Sequence, residues 1–260
     1  MNLFTKLIIG IFILPISAFA NTLIKSESDP CNSDISFKCH VNINKSNEPI
    51  DLSKTSIYAR NNTLYFKGNI TDSTILQTMN VINNYRKPIN TMVVTSLGGD
   101  TVPAMRLGYW IYDNQINLIV DKVCLSSCAN YFFTAAKSVF IKKGAIVFWH
   151  GGSTQKSLQP VNGSLKELEV RRHKIELEFR FFRHIHVKQD ITVYGQLNDS
   201  FLLYNTAGCI RASDNGDLQG WTYTIDDLKK FGVNNVISDN EQPPVSHKGI
   251  TMSCVIPVNS

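Results

Sequence analysis

Short apolar segments alternate with helical patterns along the middle of this chain, and the alternation constrains the fold more than any other feature. The predicted strands are residues 63–70, 92–95, 116–120 and 145–149. The predicted helices are the segment between Thr71 and Pro88, residues 102–113 and residues 127–136. Because strand–helix–strand order brings successive strands side by side through crossover connections, the sequence predicts an α/β fold.

Two further helices are predicted after this alternating region. A long helix over residues 164–186 opens with a capping box formed by Ser164 and Glu167. Its apolar positions keep helical spacing and predict a buried stripe of Leu165, Leu168, Ile175, Phe179 and Phe182. A later helix over residues 224–233 ends at Gly232 and leads into a short apolar segment, Val236 and Ile237.

The amino-terminal residues have the pattern of an export signal. Lys6 precedes an apolar stretch over residues 7–16, and small residues at 18 and 20 suit cleavage before Asn21. We therefore expect a periplasmic or secreted protein. The predicted organisation is a signal peptide over residues 1–20, a polar extension over 21–55, one α/β domain over 56–240 and a tail over 241–260.

The net charge gives little reason to expect a charged macromolecular partner. It is +5, from 26 Lys and Arg against 21 Asp and Glu, and the densest basic stretch lies in the predicted long helix. Such a stretch is typical of a solvated helix face. We expect no nucleic-acid partner and no cofactor.

All six cysteines follow the predicted signal peptide, and an even number in an oxidising compartment favours disulfides. The sequence does not determine which cysteines pair. We favour Cys31 with Cys39, Cys124 with Cys128 and Cys209 with Cys254. For Cys124 and Cys128 the alternatives are buried thiols or a redox couple, and a thiol nucleophile at Cys128 would be exposed to oxidation.

Three motifs within residues 96–152 contain the groups that acyl hydrolysis requires: oxyanion donors, a nucleophile and a base. A glycine turn over residues 96–100 can present backbone N–H groups. Ser126 and Ser127 lie at a predicted helix start, and His150 follows a predicted strand. Each motif alone has an ordinary structural interpretation as a turn, a helix cap or a structural histidine. Together they predict a serine hydrolase.

In this order the motifs resemble the Clp protease proteolytic subunit and the wider Clp/crotonase superfamily over about residues 64–237. Residues 127–135 follow the family's Ser-Met-Gly-Ala-Phe-Leu-Leu-Thr-Ala pattern, and residues 224–234 resemble its late helix and "Tyr-Gly-Leu" turn. The chain is also similar to exported Clp-like proteins with a Cys-x-Ser-x-Cys or Cys-x-Ser-Ser-Cys motif. The resemblance implies a spiral of β-β-α units with a long helix following the strand of the catalytic histidine.

The resemblance also implies a role for each site residue. Ser127 would be the nucleophile and His150 the general base, and the oxyanion donors would be the N–H groups of Gly98 or Gly99 and of Cys128.

Ser126 competes with Ser127 because a Cys-x-Ser-x-Cys alignment selects it. We favour Ser127, since choosing Ser126 would put polar Asn130 at an apolar helix position.

The chain departs from the family at the third catalytic residue. Counting back from Gly232 reaches Gly220 rather than an acid, so the candidates are Asp217 and Asp214, or a Ser–His dyad without an acid. The sequence shows no axial loops for docking on an unfoldase, and an exported protein would have no ATP. We therefore expect a peptide or protein substrate and no ATP-driven partner, while burial of the site in a homo-oligomer is common in this superfamily.

Two other classes of function remain as alternatives. One is a catalytically inactive Clp-like fold that binds a peptide or an envelope protein. The other is a metal site formed by His184 and His186 with His173 or His150. We expect no metal, because His184 and His186 share a face only in an extended segment and the stretch is predicted to end a helix.

Overall fold

A computed structural model describes the central part of the chain. The described residues are 54–155, 164–196, 220–240, 246–247, 250–251, 254–256 and 258. The predicted signal peptide and most of the polar extension lie outside them, as do Asp214, Asp217, Cys31, Cys39 and Cys209.

The protein has an α/β fold, as predicted, with a mixed and mostly parallel sheet of seven strands. Strands β1 (Ser56–Arg60) and β2 (Thr63–Lys67) form an antiparallel hairpin. Parallel pairing then continues from β2 through β3 (Thr91–Ser96), β4 (Asn117–Leu125), β5 (Ser138–Ile141) and β8 (Val236–Ser238). The sequence patterns above did not predict β1 or β5.

The sheet divides at β4, and this division positions the candidate site. The first half of β4, up to Val120, pairs with β5. Its second half, from Val123 to Leu125, pairs instead with β6 (Ile146–Phe148). The carboxyl ends of β4 and β6 therefore lie side by side, and the residues that follow each strand meet at one edge.

Helices connect the strands. α1 (Asp72–Asn84) begins at the capping residue Thr71, and α2 (Thr101–Asp113) connects β3 with β4. A π-helix (Cys128–Phe133) follows β4 where the sequence predicts an ordinary helix. After β6 come α3 (Leu165–His184), two short 3₁₀ helices (Gln189–Thr192 and Tyr194–Gln196) and α4 (Ile225–Lys230).

The long helix α3 has the predicted capping box, with Ser164 as the N-cap, but only part of the predicted buried stripe. Phe182 is buried as predicted and Ile175 is half-buried, whereas Leu165, Leu168 and Phe179 are exposed. The helix also buries Glu178 and Phe181, which the stripe did not include. Hydrophobic spacing alone therefore located the buried face only in part, because a carboxylate occupies one of the buried positions.

Four further short strands form two small sheets. β7 (Trp221–Thr222) pairs in parallel with β11 (Cys254–Val255), while β9 (Ser246–His247) pairs with β10 (Ile250–Thr251). Trp149 bridges to Trp221, which ties β7 to the end of β6. Within the described ranges, no helix combines the length and apolar composition that crossing a membrane requires.

Candidate active site

The glycine turn that follows β3 packs directly against the serine motif. Gly98 has φ +93°, in the region that favours glycine. A Cβ atom on Gly98 would come within 2.7 Å of Ser126 Cβ and 2.8 Å of Ser127 N. A side chain at this position would therefore displace the serines, so Gly98 is required for the close approach of the two turns.

Ser126 lies on the sharp turn between β4 and the π-helix. Its φ is +56°, an uncommon conformation for a residue with a side chain and one that is enriched at functional sites. The Ser126 N–H donates to Phe148 O at 3.1 Å, which ties the turn to the end of β6. A strand, a strained turn and then a helix also form the setting in which α/β-hydrolases present a nucleophilic serine.

Ser126 is the serine that contacts His150. The distance between Ser126 Oγ and His150 Nε2 is 2.6 Å, within hydrogen-bonding range for a nucleophile and its base. Both groups lie at the accessible edge of the domain, because Ser126 is partly exposed and His150 is exposed. An incoming carbonyl group can therefore reach the hydroxyl.

Ser127 has a different environment. Its side chain is 2% exposed, and its hydroxyl donates to Gly99 O at 2.6 Å. The hydroxyl therefore fastens the helix start to the glycine turn and does not contact the histidine. This geometry reverses the sequence-based preference for Ser127 over Ser126.

The candidate oxyanion donors change with the nucleophile. If Ser126 is the nucleophile, the next backbone N–H is that of Ser127 rather than that of Cys128. Ser127 lies at the start of the helical segment, where N–H groups lack intrahelical acceptors. The Gly98 N–H donates to Ser96 Oγ at 3.1 Å, whereas the Gly99 N–H has no acceptor within the described part of the chain. Within the described part of the chain, the N–H groups of Gly99 and Ser127 are therefore the candidate oxyanion donors.

A disulfide joins Cys124 to Cys128 across the serine motif, as the sequence predicts. The two Cα atoms are 5.1 Å apart, and both side chains are fully buried. Ser126 and Ser127 lie inside this short covalent loop, which limits how far their turn can move.

His150 is positioned through its own backbone and through the loop that follows. Gln196 Nε2 donates to His150 O at 2.8 Å, and Asn130 Nδ2 donates to Gly151 O at 2.9 Å. Although the side chain has an exposed edge, the protein atoms around the ring withdraw part of it from water, and this desolvation lowers the pKa of His150. A lowered pKa keeps the imidazole neutral near neutral pH, which is the form that accepts a proton.

No acidic side chain contacts His150 among the residues that the structure describes. Burial is the cause of its pKa shift, with no carboxylate contributing. The two acids predicted for this role, Asp217 and Asp214, lie outside the described residues. The described part of the site is therefore a Ser–His pair.

Beneath the histidine loop lies a carboxylate that the sequence patterns did not identify. Glu178 of α3 is fully buried and accepts hydrogen bonds from Tyr131 Oη at 2.6 Å, Ser153 N at 3.0 Å and Gln189 Nε2 at 2.7 Å, as well as from the Ser153 hydroxyl. Glu178 lies three and four positions before Phe181 and Phe182, and residues at this spacing share a helix face. This spacing was the signal in the sequence that could have indicated its burial.

The histidines of the metal alternative do not come together. His184 Nε2 lies 2.6 Å from Asp113 Oδ1 and packs between Tyr109 and Tyr112. The described ranges contain no group of three His, Cys, Asp or Glu side chains able to hold a metal ion.

Comparison with known proteins does not assign this chain to a family. No protein-family model matches it, and no curated protein matches its sequence. The fold and site define an α/β protein with a Ser–His pair at the carboxyl edge of its sheet.

Proposed function

We propose that this protein is a serine hydrolase of acyl bonds, and specifically an exported Clp-like peptidase. Ser126 is the nucleophile and His150 the general base. The observation that carries the proposal is the 2.6 Å contact between Ser126 Oγ and His150 Nε2. The positive φ of Ser126 and the glycine turn beside it add support.

In the proposed reaction, His150 Nε2 takes the proton of the Ser126 hydroxyl while Oγ attacks the substrate carbonyl carbon. The resulting oxyanion accepts hydrogen bonds from the N–H groups of Gly99 and Ser127. His150 then gives its proton to the leaving group, and the acyl group remains on Ser126. Water then attacks this ester while His150 takes a proton from the water. His150 returns that proton to Ser126 Oγ as the ester bond breaks, which releases the acid and restores the serine.

Whether an acidic residue completes a catalytic triad with Ser126 and His150 is a separate proposal. We favour a dyad, because the contacts described for His150 include no carboxylate and a serine hydrolase can operate without one. The contacts from Gln196 to His150 O and from Asn130 to Gly151 O hold the backbone that carries the histidine. Asp217 or Asp214 remains the candidate for a triad.

An extended peptide beside the glycine turn is the proposed substrate. Leu97 is 40% exposed at this turn, so an apolar side chain is available there for contact with a substrate. The division of the sheet at β4 is compatible with a Clp-like spiral. We propose export through the amino-terminal signal and action without an ATP-driven unfoldase, and association into a homo-oligomer is compatible with this proposal.

Hydrolysis by the two serine variants tests the proposal. Casein and p-nitrophenyl acetate serve as generic peptide and ester substrates for the disulfide-bonded mature protein. S126A should lose turnover by about 10⁴-fold or more, as expected when a nucleophile is removed. S127A is the matched control, since it removes a neighbouring hydroxyl with a structural contact, and should keep turnover within about tenfold. Loss in S127A with retention in S126A would contradict the assignment.

The alternative is a catalytically inactive Clp-like fold that binds a peptide or an envelope protein. In that case the wild-type protein turns over neither substrate even though it is folded. Thermal denaturation checks the folding, and the wild type and S126A should have the same melting temperature.

A further inference from the structure

Glu178 is a buried charge whose partners are all neutral donors. Its side chain is fully buried, and no ion pair to it occurs among the described residues. A buried carboxylate is costly unless hydrogen bonds satisfy it. Here four donors do so, and these donors come from three separate segments of the chain.

One end of the carboxylate holds the loop that carries His150. Glu178 Oε2 accepts from the backbone N–H of Ser153 at 3.0 Å and from the Ser153 hydroxyl, three positions after the histidine. The loop lies directly on the carboxylate, because a Cβ atom on Gly152 would approach Glu178 Oε1 to 3.0 Å. The carboxylate therefore sets the distance between the loop that carries His150 and helix α3.

The other end holds the segment that follows the nucleophile. Tyr131, in the π-helix, donates to Glu178 Oε1 at 2.6 Å. Burial, together with the negative charge of Glu178, raises the pKa of Tyr131 well above its usual range, so the phenol stays protonated and donates. The adjacent Asn130 donates to Gly151 O at 2.9 Å. The nucleophile segment and the histidine loop are thus joined through one buried network.

We propose that Glu178 is a positioning residue that holds His150 at hydrogen-bonding distance from Ser126, acting through Ser153 and Tyr131. This inference rests on the proposed hydrolase function. Glu178 does not touch the reacting atoms, and its role is to fix the relative position of the two segments that carry them. A neutral or shorter side chain leaves donors unsatisfied and loosens the loop, which lengthens the contact between the serine and the histidine.

The variant E178Q tests the proposal, with E176Q as the matched control. Glu176 lies on the same helix but is exposed and pairs with Arg180, so E176Q removes the same charge without reaching the loop. Two readouts are taken on the disulfide-bonded mature protein. They are the rate of labelling by a fluorophosphonate and the pKa of His150 from NMR of ¹³C-labelled histidine, with the resonance assigned by its loss in H150A.

We expect E178Q to label about tenfold or more slowly, because small displacements of reacting groups have large effects on rate. The pKa of His150 should rise toward its usual value, since a looser loop admits water. E176Q should match the wild type in both readouts. Y131F, which removes one of the four donors, should change both in the same direction by a smaller amount.

A purely structural role would give a different result. E178Q would then have a lower melting temperature but a wild-type labelling rate per folded molecule and a wild-type His150 pKa, which overturns the proposal. If E178Q does not fold, Y131F decides by the same two readouts. If the wild-type protein itself does not label, the hydrolase function fails, and the His150 pKa alone decides whether Glu178 positions the loop.

Discussion

The Ser126–His150 site and the Glu178 network lie at opposite ends of one short loop and differ in how their polar groups are satisfied. At the site, a strained serine and an exposed histidine share one contact and keep unused hydrogen-bonding capacity. In the network, every hydrogen-bonding position of the carboxylate is buried and four donors occupy it. Spare capacity suits a group that reacts, whereas full satisfaction suits a group that holds others in place.

This contrast predicts that changes at the site affect activity more than stability. H150A has the largest expected effect, a loss of turnover of about 10⁴-fold, because no other described base contacts Ser126. Its melting temperature should remain close to that of the wild type, since the side chain is exposed. Kinetics and thermal denaturation of the same preparation check both parts. A folded H150A protein with wild-type turnover contradicts the role of the histidine.

G98A should change activity and stability together, because it acts on the contact between the two turns. Its Cβ would lie 2.6 Å from Leu125 O and force an alanine into a positive φ. We expect turnover to fall about 10²-fold through displaced oxyanion donors and the free energy of unfolding to fall by about 1–3 kcal/mol.

The control for this prediction is G144A. Gly144 has φ +76° in the turn between β5 and β6, so it introduces similar backbone strain away from the serines. If G144A reduces turnover per folded molecule as much as G98A does, the effect is not specific to the site.

Removing the disulfide should make the turn that carries Ser126 more mobile. The double variant C124A/C128A opens a loop with a sequence separation of 4. For so short a loop we expect the free energy of unfolding to fall by about 2 kcal/mol. Labelling of Ser126 by a fluorophosphonate should also slow, because the disulfide no longer restricts the Ser126 backbone to its positive φ. Urea denaturation and labelling kinetics measure the two effects, and unchanged labelling would show that the disulfide does not hold the turn.

The pH dependence of the labelling rate is the smallest of the expected effects. Since burial lowers the pKa of His150, its neutral form should persist below pH 6.5, the ordinary histidine value. The labelling rate should then fall about tenfold per pH unit below that lowered pKa. Protonation also opposes folding, because the unfolded state binds the proton more readily, so the His150 contribution to stability falls as pH decreases. A rate profile with its midpoint above pH 6.5 contradicts this assignment.

The sequence predicted those strands, caps and turns of the sheet region whose signals lie within a few neighbouring residues. The β-branched segment 92–95 became β3, the Ser164 capping box opens α3, and the motif order brought the glycine turn, the serines and His150 to one edge. By contrast, only residues 134–137 separate β5 from the π-helix, and hydropathy alone did not distinguish the two elements.

The choice between the two serines required tertiary information. The preference for Ser127 assumed α-helical spacing and an apolar environment at Asn130. The segment is instead a π-helix, in which hydrogen bonds span one residue more than in an α-helix. Asn130 is indeed buried, at 2% exposure, but it is polar because its amide holds the backbone of the histidine loop. No sequence pattern specifies a partner twenty-one positions away.

The most direct measurement of the central claim is the position of a fluorophosphonate adduct. The disulfide-bonded mature protein is treated with the probe, digested and analysed by peptide mass spectrometry, with H150A treated in parallel. The account predicts an adduct on Ser126 that is absent in H150A. An adduct on Ser127, or none on a folded wild-type protein, would contradict it.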